Sequence, residues 1–316
     1  MISLYISKCL SKIPKAGLLL TGRLLGVAAY VLFAPHRKIV KRNFAFAYPE
    51  WSKNRIRRHA IAVFQHLCIT VLEICQFFCF DKARILKKVR IKGDKQSIDM
   101  IKSNKQVIFI SGHIGNWEVG PLLFACYFNR VLVLLARAMK PDFLNRQVNN
   151  MRSRYGNTVL DKMDSLSEMQ RLLGGGQSLG LVIDQGTKIS EGEEVVFLGH
   201  RVTATPVVAL MARRYKCPVI PAFTVREADG ELTIVYDPPL KFKRSKDIRA
   251  DLRENTQIMM SVIEKAVRRY PEQWFWFNKR WKRFYPWLYP EYQDKRRRKR
   301  AREEKQQRKK IRWKKL

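Results

Sequence analysis

The chain has 316 residues, 46% of them apolar, which is enough to bury a sizeable core and excludes general disorder. Its 62 Lys and Arg against 27 Asp and Glu give a formal charge of +35, which calls for an anionic counterpart: nucleic acid, an anionic membrane leaflet or acidic substrates. Six cysteines (Cys9, Cys68, Cys75, Cys79, Cys126, Cys217) lie mostly in apolar runs without a CxxC pair, so they read as reduced thiols facing a cytosolic compartment. Cys75 and Cys79 are one helical turn apart but lack a His at ligand spacing, so no metal is expected.

Residues 16–33 (AGLLLTGRLLGVAAYVLF) form an apolar stretch of 18 residues flanked by Lys8, Lys12 and Lys15 before it and Arg37, Lys38, Lys41 and Arg42 after it. That length is the lower limit for crossing about 30 Å of hydrocarbon, and Arg23 would have to snorkel. Pro35-His36-Arg37-Lys38 is no signal-peptide cleavage site. The pattern fits a helix that dips into or barely spans a bilayer, and also a buried core helix. Ser52 is placed to cap a following helix with apolar residues at spacings of three and four, on which His59 and His66 read as packing or surface residues. The cluster Phe77-Phe78-Cys79-Phe80 either lines an entrance for an apolar ligand or closes the core.

From residue 88 onward, apolar strand-like runs (88–91, 106–111, 131–135, 179–183, 218–225, 232–236) alternate with helical periodicity around 117–127, 141–155, 165–173, 204–215 and 247–269. This order predicts an α/β fold with a mixed central sheet flanked by helices, and such sheets gather chemistry at strand ends. The most informative segment is His113-Ile114-Gly115-Asn116-Trp117-Glu118, which follows the run ending in Ser111-Gly112. A His with a carboxylate to fix its tautomer is a general base for a hydroxyl. Five residues of helix turn a side chain by roughly 500°, so the pair cannot meet on one helix. A glycine turn with Asn116 capping a helix, and Glu118 in its first turn, would bring them together.

Several ordered blocks resemble the lipid A biosynthesis acyltransferases of the lauroyl and myristoyl type, within the lysophospholipid acyltransferase group that shares a His-x4-Asp/Glu signature. They are the His113 block, Arg137-Ala138-Met139-Lys140-Pro141, Met151-Arg152-Ser153-Arg154-Tyr155-Gly156, Leu181-Val182-Ile183-Asp184-Gln185, Phe197-Leu198-Gly199 with Thr205, Cys217-Pro218-Val219-Ile220-Pro221 leading to Arg226, and Tyr270-Pro271-Glu272-Gln273-Trp274-Phe275-Trp276. Asn278 stands where that family commonly has His, and Gln185 and Lys140 stand where other polar residues are frequent.

The resemblance implies transfer of a fatty acyl group from acyl carrier protein to a hydroxyl of a lipid A precursor, without cofactor or covalent enzyme intermediate. His113 would be the base and Glu118 its orienting partner, with backbone amides of the 112–116 turn as candidate oxyanion donors. Arg152, Arg137 and Asp184 would bind substrate, the arginines because guanidinium forks suit phosphates and carboxylates. Together with the apolar stretch and the charge pattern, this gives an expected organisation of a membrane anchor region over residues 1–45, an α/β acyltransferase domain over 46–290 and, outside the resemblance, a polybasic tail over 291–316, at the cytoplasmic face of the inner membrane. A lysophospholipid, an amino-acid lipid or a mannosylated glycolipid is the alternative acceptor. From residue 294 to 316 there are fourteen Lys or Arg and three acidic residues, the pattern of a solvated tail able to hold anionic lipid or an acidic carrier. A nucleic-acid-binding protein would explain the charge but not the apolar N-terminal stretch or the His113 turn, so no nucleic acid is expected.

Overall fold

The structure, a computed structural model, describes residues 2–136, 140–161 and 165–293. In chain order the helices are α1 (Ile2–Lys12), α2 (Lys15–Leu32), α3 (Ala34–Ala47), α4 (Lys53–Phe77), α5 (Lys82–Lys87), α6 (Lys95–Lys102), α7 (Gly120–Phe128), α8 (Asp142–Ser153), α9 (Ser165–Gly174), α10 (Val207–Tyr215) and α11 (Ile248–Arg269). The strands are β1 (Val89–Gly93), β2 (Ile108–Ser111), β3 (Leu132–Ala136), β4 (Thr158–Asp161), β5 (Ser178–Val182), β6 (Glu193–Phe197), β7 (His200–Ala204), β8 (Val219–Arg226) and β9 (Leu232–Tyr236).

Seven strands form one mixed sheet in the order β1-β9-β8-β2-β5-β3-β4. From β8 to β4 all neighbours pair in parallel, whereas β9 turns back antiparallel on β8 and β1 runs parallel to β9. Parallel strands covered on both faces read as continuous apolar runs, which is why β2 and β5 are visible in the sequence. Ile108 and Ile110 face one core cluster, with Met169, Met211 and Ile263 from α9, α10 and α11, while Phe109 faces a second with Leu122 and Phe124 from α7. Strands β6 and β7 form a separate antiparallel hairpin against α11, turned through Leu198 and Gly199, both with positive φ.

Three strands, the edge strand β4 and the hairpin β6–β7, and four helices, α1, α3, α5 and α6, are absent from the sequence-based expectation. That expectation also places the start of α7 too early. Asn116 caps no helix; α7 begins at Gly120 after Val119, and Asn116 is fully buried within the preceding turn. Ser52 does cap α4, accepting from the amide of Arg55 at 3.2 Å. Phe77 and Phe80 are both buried in a core cluster with Ile85, so this part of the aromatic cluster closes the core.

Helix α2 lies along α4. Gly22 and Gly26 press on Ile69 and Gln65, where a Cβ on either glycine would overlap α4 backbone. Its buried side is Leu18, Gly22, Gly26 and Tyr30, and its outward side carries Leu20, Leu24, Val31, Leu32 and Phe33, each more than half exposed. The C-terminal segment returns to α3, where Tyr289 Oη donates to Asn43 Oδ1 at 2.7 Å and Asn43 Nδ2 donates to the Trp276 carbonyl at 2.7 Å. Arg137 and residues 294–316 lie outside the described residues.

Candidate active site

Register builds the centre of the site. Ser111 of β2 pairs with Val182 of β5, so the residues two positions beyond each strand end, His113 and Asp184, emerge side by side. His113 Nδ1 lies 2.6 Å from Asp184 Oδ1, and the His113 amide donates to Asp184 Oδ2 at 3.0 Å. Trp274 Nε1 donates to the same Oδ2 at 2.7 Å. Asp184 is thus engaged on both oxygens and only 2% exposed. Burial is the largest single influence and drives its pKa up, but the His113 charge and the bonds from His113 and Trp274 together outweigh it and hold the carboxyl below its usual value.

An ionised Asp184 on Nδ1 assigns the proton to that nitrogen and leaves Nε2 as the acceptor. The Gln185 side-chain nitrogen sits 3.3 Å from Nε2, and the rings of Trp117 and Phe275 flank the imidazole with centroids at 5.2 and 6.1 Å. This arrangement can take a proton from a hydroxyl brought to Nε2 while the resulting imidazolium is stabilised by Asp184.

Glu118 sits elsewhere. Arg152, in the last turn of α8, grips it with a fork: Nε donates to Oε2 at 2.9 Å, and Nη2 donates to Oε1 at 2.9 Å and to Oε2 at 2.6 Å. Nη1 of Arg152 donates to Asn149 Oδ1 at 2.8 Å, and Trp117 Nε1 donates to Glu118 Oε1 at 3.2 Å. The carboxylate that the sequence assigns to His113 is therefore committed to Arg152, and Asp184, assigned to substrate, is the carboxylate on Nδ1. The physical reason is adjacency of β2 and β5, which sequence spacing does not reveal.

The 112–116 turn also differs from expectation. The amide of Ile114 donates to Gly112 O at 2.7 Å, that of Gly115 to Gln273 O at 2.9 Å and that of Asn116 to Thr224 O at 2.7 Å. With His113 N on Asp184, the four amides from 113 to 116 are engaged in holding the turn. Gly115 has φ +62°, and a Cβ there would overlap the Thr224 carbonyl, so only glycine fits this approach to β8.

Beside the turn, between α7 and one face of the sheet, opens an apolar pocket with about 740 Å³ of empty space, part of it open to solvent. Its walls are alternate residues of neighbouring strands, among them Phe109, Leu134 and Ile234, together with Phe124 of α7. Gly180 of β5 contributes no side chain to this wall, and Glu118 and Arg152 supply its charged lining. The His113–Asp184 pair thus stands beside a cavity lined mainly by apolar side chains. Among the described residues no group of three or more His, Cys, Asp or Glu converges as a metal site.

Comparison with known proteins decides what such a site belongs to. The family model for bacterial lipid A biosynthesis acyltransferases matches residues 2–283. The chain belongs to that family. It is 22% identical over 265 residues to the lipid A biosynthesis lauroyltransferase of Escherichia coli (strain K12), covering 82% of this chain and 83% of that one. A solved structure, the 1-acyl-sn-glycerophosphate (LPA) acyltransferase of Thermotoga maritima, aligns over 81% of this chain and 96% of its own with a TM-score of 0.36 and 14% identity. The protein is an acyltransferase, and the matched residues 2–283 include His113, Asp184 and Arg152.

Proposed function

We propose that the protein transfers a fatty acyl chain from acyl carrier protein to a hydroxyl of a lipid A precursor, with His113 as general base. The single observation that carries this reading is the 2.6 Å contact between His113 Nδ1 and Asp184, beside an apolar pocket. His113 Nε2 takes the hydroxyl proton, the oxygen attacks the thioester carbonyl, the C–S bond breaks as the ester C–O bond forms, and the proton passes to the departing thiolate. Such assistance contributes about 10² to 10⁴ in rate, and positioning with charge stabilisation supplies the rest. Arg152, with Glu118, stands at the polar part of the pocket, where it is suited to the phosphates of the acceptor or carrier; Arg137 is assigned the same class of contact on the resemblance alone.

The reaction moves an acyl group from an acidic carrier to an anionic lipid, and the basic charge of the chain suits both. The outward apolar side of α2, bracketed by Lys12, Lys15, Arg37 and Lys38, supports lodging in the cytoplasmic face of the inner membrane with its other side packed on α4. Helices α2 and α4 are both long and apolar enough to cross a membrane, but half of the α4 window is buried inside the protein. No nucleic acid is part of this reading.

The test is acyl transfer by wild-type protein and His113→Ala, offered acyl-acyl carrier protein with a lipid A precursor or a lysophospholipid. Transfer to the lipid A precursor that is lost in the variant supports the whole proposal. Transfer only to the lysophospholipid overturns the acceptor, and equal activity in both proteins removes His113 from the chemistry.

A further inference from the structure

Behind the catalytic turn lies a buried ionic cluster that the proposed chemistry does not use. Arg226, at the end of β8, forks onto Glu73 of α4: Nε donates to Oε1 at 3.0 Å, and Nη2 bonds Oε2. Arg226 Nη1 meets His66 Nδ1 at 2.6 Å. A guanidinium only donates, so Nδ1 accepts and His66 carries its proton on Nε2, which donates to the Gly115 carbonyl at 3.2 Å. Burial and the neighbouring guanidinium both push the His66 pKa down, to about 3, which keeps the ring in this neutral state. Glu73 Oε2 also accepts from Asn116 Nδ2 at 2.8 Å. Gln273 closes the arrangement: its side chain accepts from Arg226 N at 2.9 Å and donates to Arg226 O at 2.7 Å, and its carbonyl takes the Gly115 amide.

Both backbone polar groups of Gly115 and the side-chain amide of Asn116 therefore end on this cluster, two and three residues after His113. Glu73, His66, Arg226, Asn116 and Gln273 are all buried, so the desolvation cost of a charged pair is incurred where it fixes the turn. We infer that His66, Glu73 and Arg226 are positioning residues for acyl transfer, holding the Gly112–Asn116 turn so that the His113 ring meets Asp184. None of them reaches substrate; they act through Gly115 and Asn116. A displacement of 1 Å at reacting groups costs about 10²-fold in rate, so the arrangement is sensitive to loss of one anchor. This inference rests on the proposed role of His113.

The test compares His66→Gln, whose side-chain amide reaches the position of Nε2, with His66→Asn, whose amide falls short of Gly115 O, alongside Glu73→Gln. The expected result is kcat within about threefold of wild type for Gln, a loss of about tenfold or more for Asn and for Glu73→Gln, and donor KM within about twofold throughout. A substrate-independent reading is the hydrogen-bonded His113 Nδ1 proton by NMR, identified by its absence in His113→Ala. It should persist in His66→Gln and shift or broaden in His66→Asn, while circular dichroism shows both chains folded. Equal kcat and an unchanged His113 signal in the Gln and Asn variants overturn the inference. An unchanged signal in every variant with no transfer even by wild type would overturn the inference and the proposed reaction separately, since the NMR reading needs no substrate.

Discussion

Glu118 and Arg152 form a forked ion pair whose side chains are only 14% and 12% exposed. The pair explains why the nearest carboxylate in sequence to His113 is not the one on its Nδ1. Within α8, Arg152 is held by Asn149 one turn earlier, so its guanidinium is presented to Glu118 in a fixed orientation.

Removing one member of this pair should cost more than removing both. Glu118→Gln leaves a partly buried guanidinium without its counter-charge, and the expected loss is about 2 kcal/mol, with Glu118→Gln/Arg152→Met recovering part of it. Denaturant melts of the two singles and the double check this. Strict additivity would mean that the pair carries no coupling.

The carboxylate on Nδ1 should matter most for turnover. Asp184→Asn keeps the shape but offers the His113 ring an amide and removes the charge that stabilises the imidazolium, so kcat should fall about 10² to 10⁴-fold. Glu118→Gln should fall at least tenfold less. Steady-state kinetics with folded variants decides this, and the reverse order would give the orienting role back to Glu118.

Much of this site was legible and part of it was not, for a physical reason that the same residues illustrate. His113 announced itself because β2 is a buried apolar run ending in glycine, and β5 likewise led to Asp184. Their partnership depended on β5 lying next to β2, a non-local choice that no spacing encodes, so the carboxylate five residues away stood in its place. The hairpin β6–β7 is masked in the sequence although Val195, Phe197, Val202 and Ala204 alternate inward, because the charged Glu193-Glu194 and Arg201 break the apolar run. Strand β4 has only four residues at the sheet edge. His66 reads as packing because its bonded partner Arg226 is 160 residues away, and Glu73, seven residues further along α4, joins it only through that arginine.

His66 also predicts an acid-sensitive fold. Its ordinary value of 6.5 falls to about 3 in the native state, so between these pH values the unfolded chain binds a proton that the native chain does not. Stability from this group is complete above about pH 6.5 and is lost as pH falls towards 3, by about 5 kcal/mol in all. Asp184, also depressed, adds a further loss below its ordinary value of 3.8. Denaturant midpoints at pH 7 and pH 4.5 should differ in wild type and differ less in His66→Gln. An equal pH dependence in both would remove His66 as its source.

The outward side of α2 gives a separable expectation. Leu24, Leu32 and Phe33 are 64%, 75% and 54% exposed, so replacing all three by Ser should leave thermal stability nearly unchanged. Burying each such side chain in hydrocarbon is worth about 1.5 to 3 kcal/mol, so partition onto anionic vesicles should fall more than about 10²-fold. Co-sedimentation reads it, and unchanged binding would assign membrane attachment to basic residues alone.

Gly180 makes the pocket testable as a container for the acyl chain. It lies in β5 between Phe109 of β2 and Leu134 of β3, its register partners, both of which line the pocket, and a Cβ built on it would come 3.0 Å from Leu134 Cδ2. Gly180→Val therefore inserts carbon where a chain would otherwise lie, after a small shift of Leu134. Each methylene excluded from an apolar site forfeits about 0.8 kcal/mol, close to fourfold in binding, so two or three lost positions should lower kcat/KM for long thioesters about tenfold or more relative to short ones. Phe124→Ala, which removes a wall on the α7 side, should shift preference the other way. Competition between thioesters of two chain lengths in one reaction measures the ratio directly. A uniform loss across lengths in Gly180→Val, with no shift in Phe124→Ala, would mean that the acyl chain lies outside this pocket.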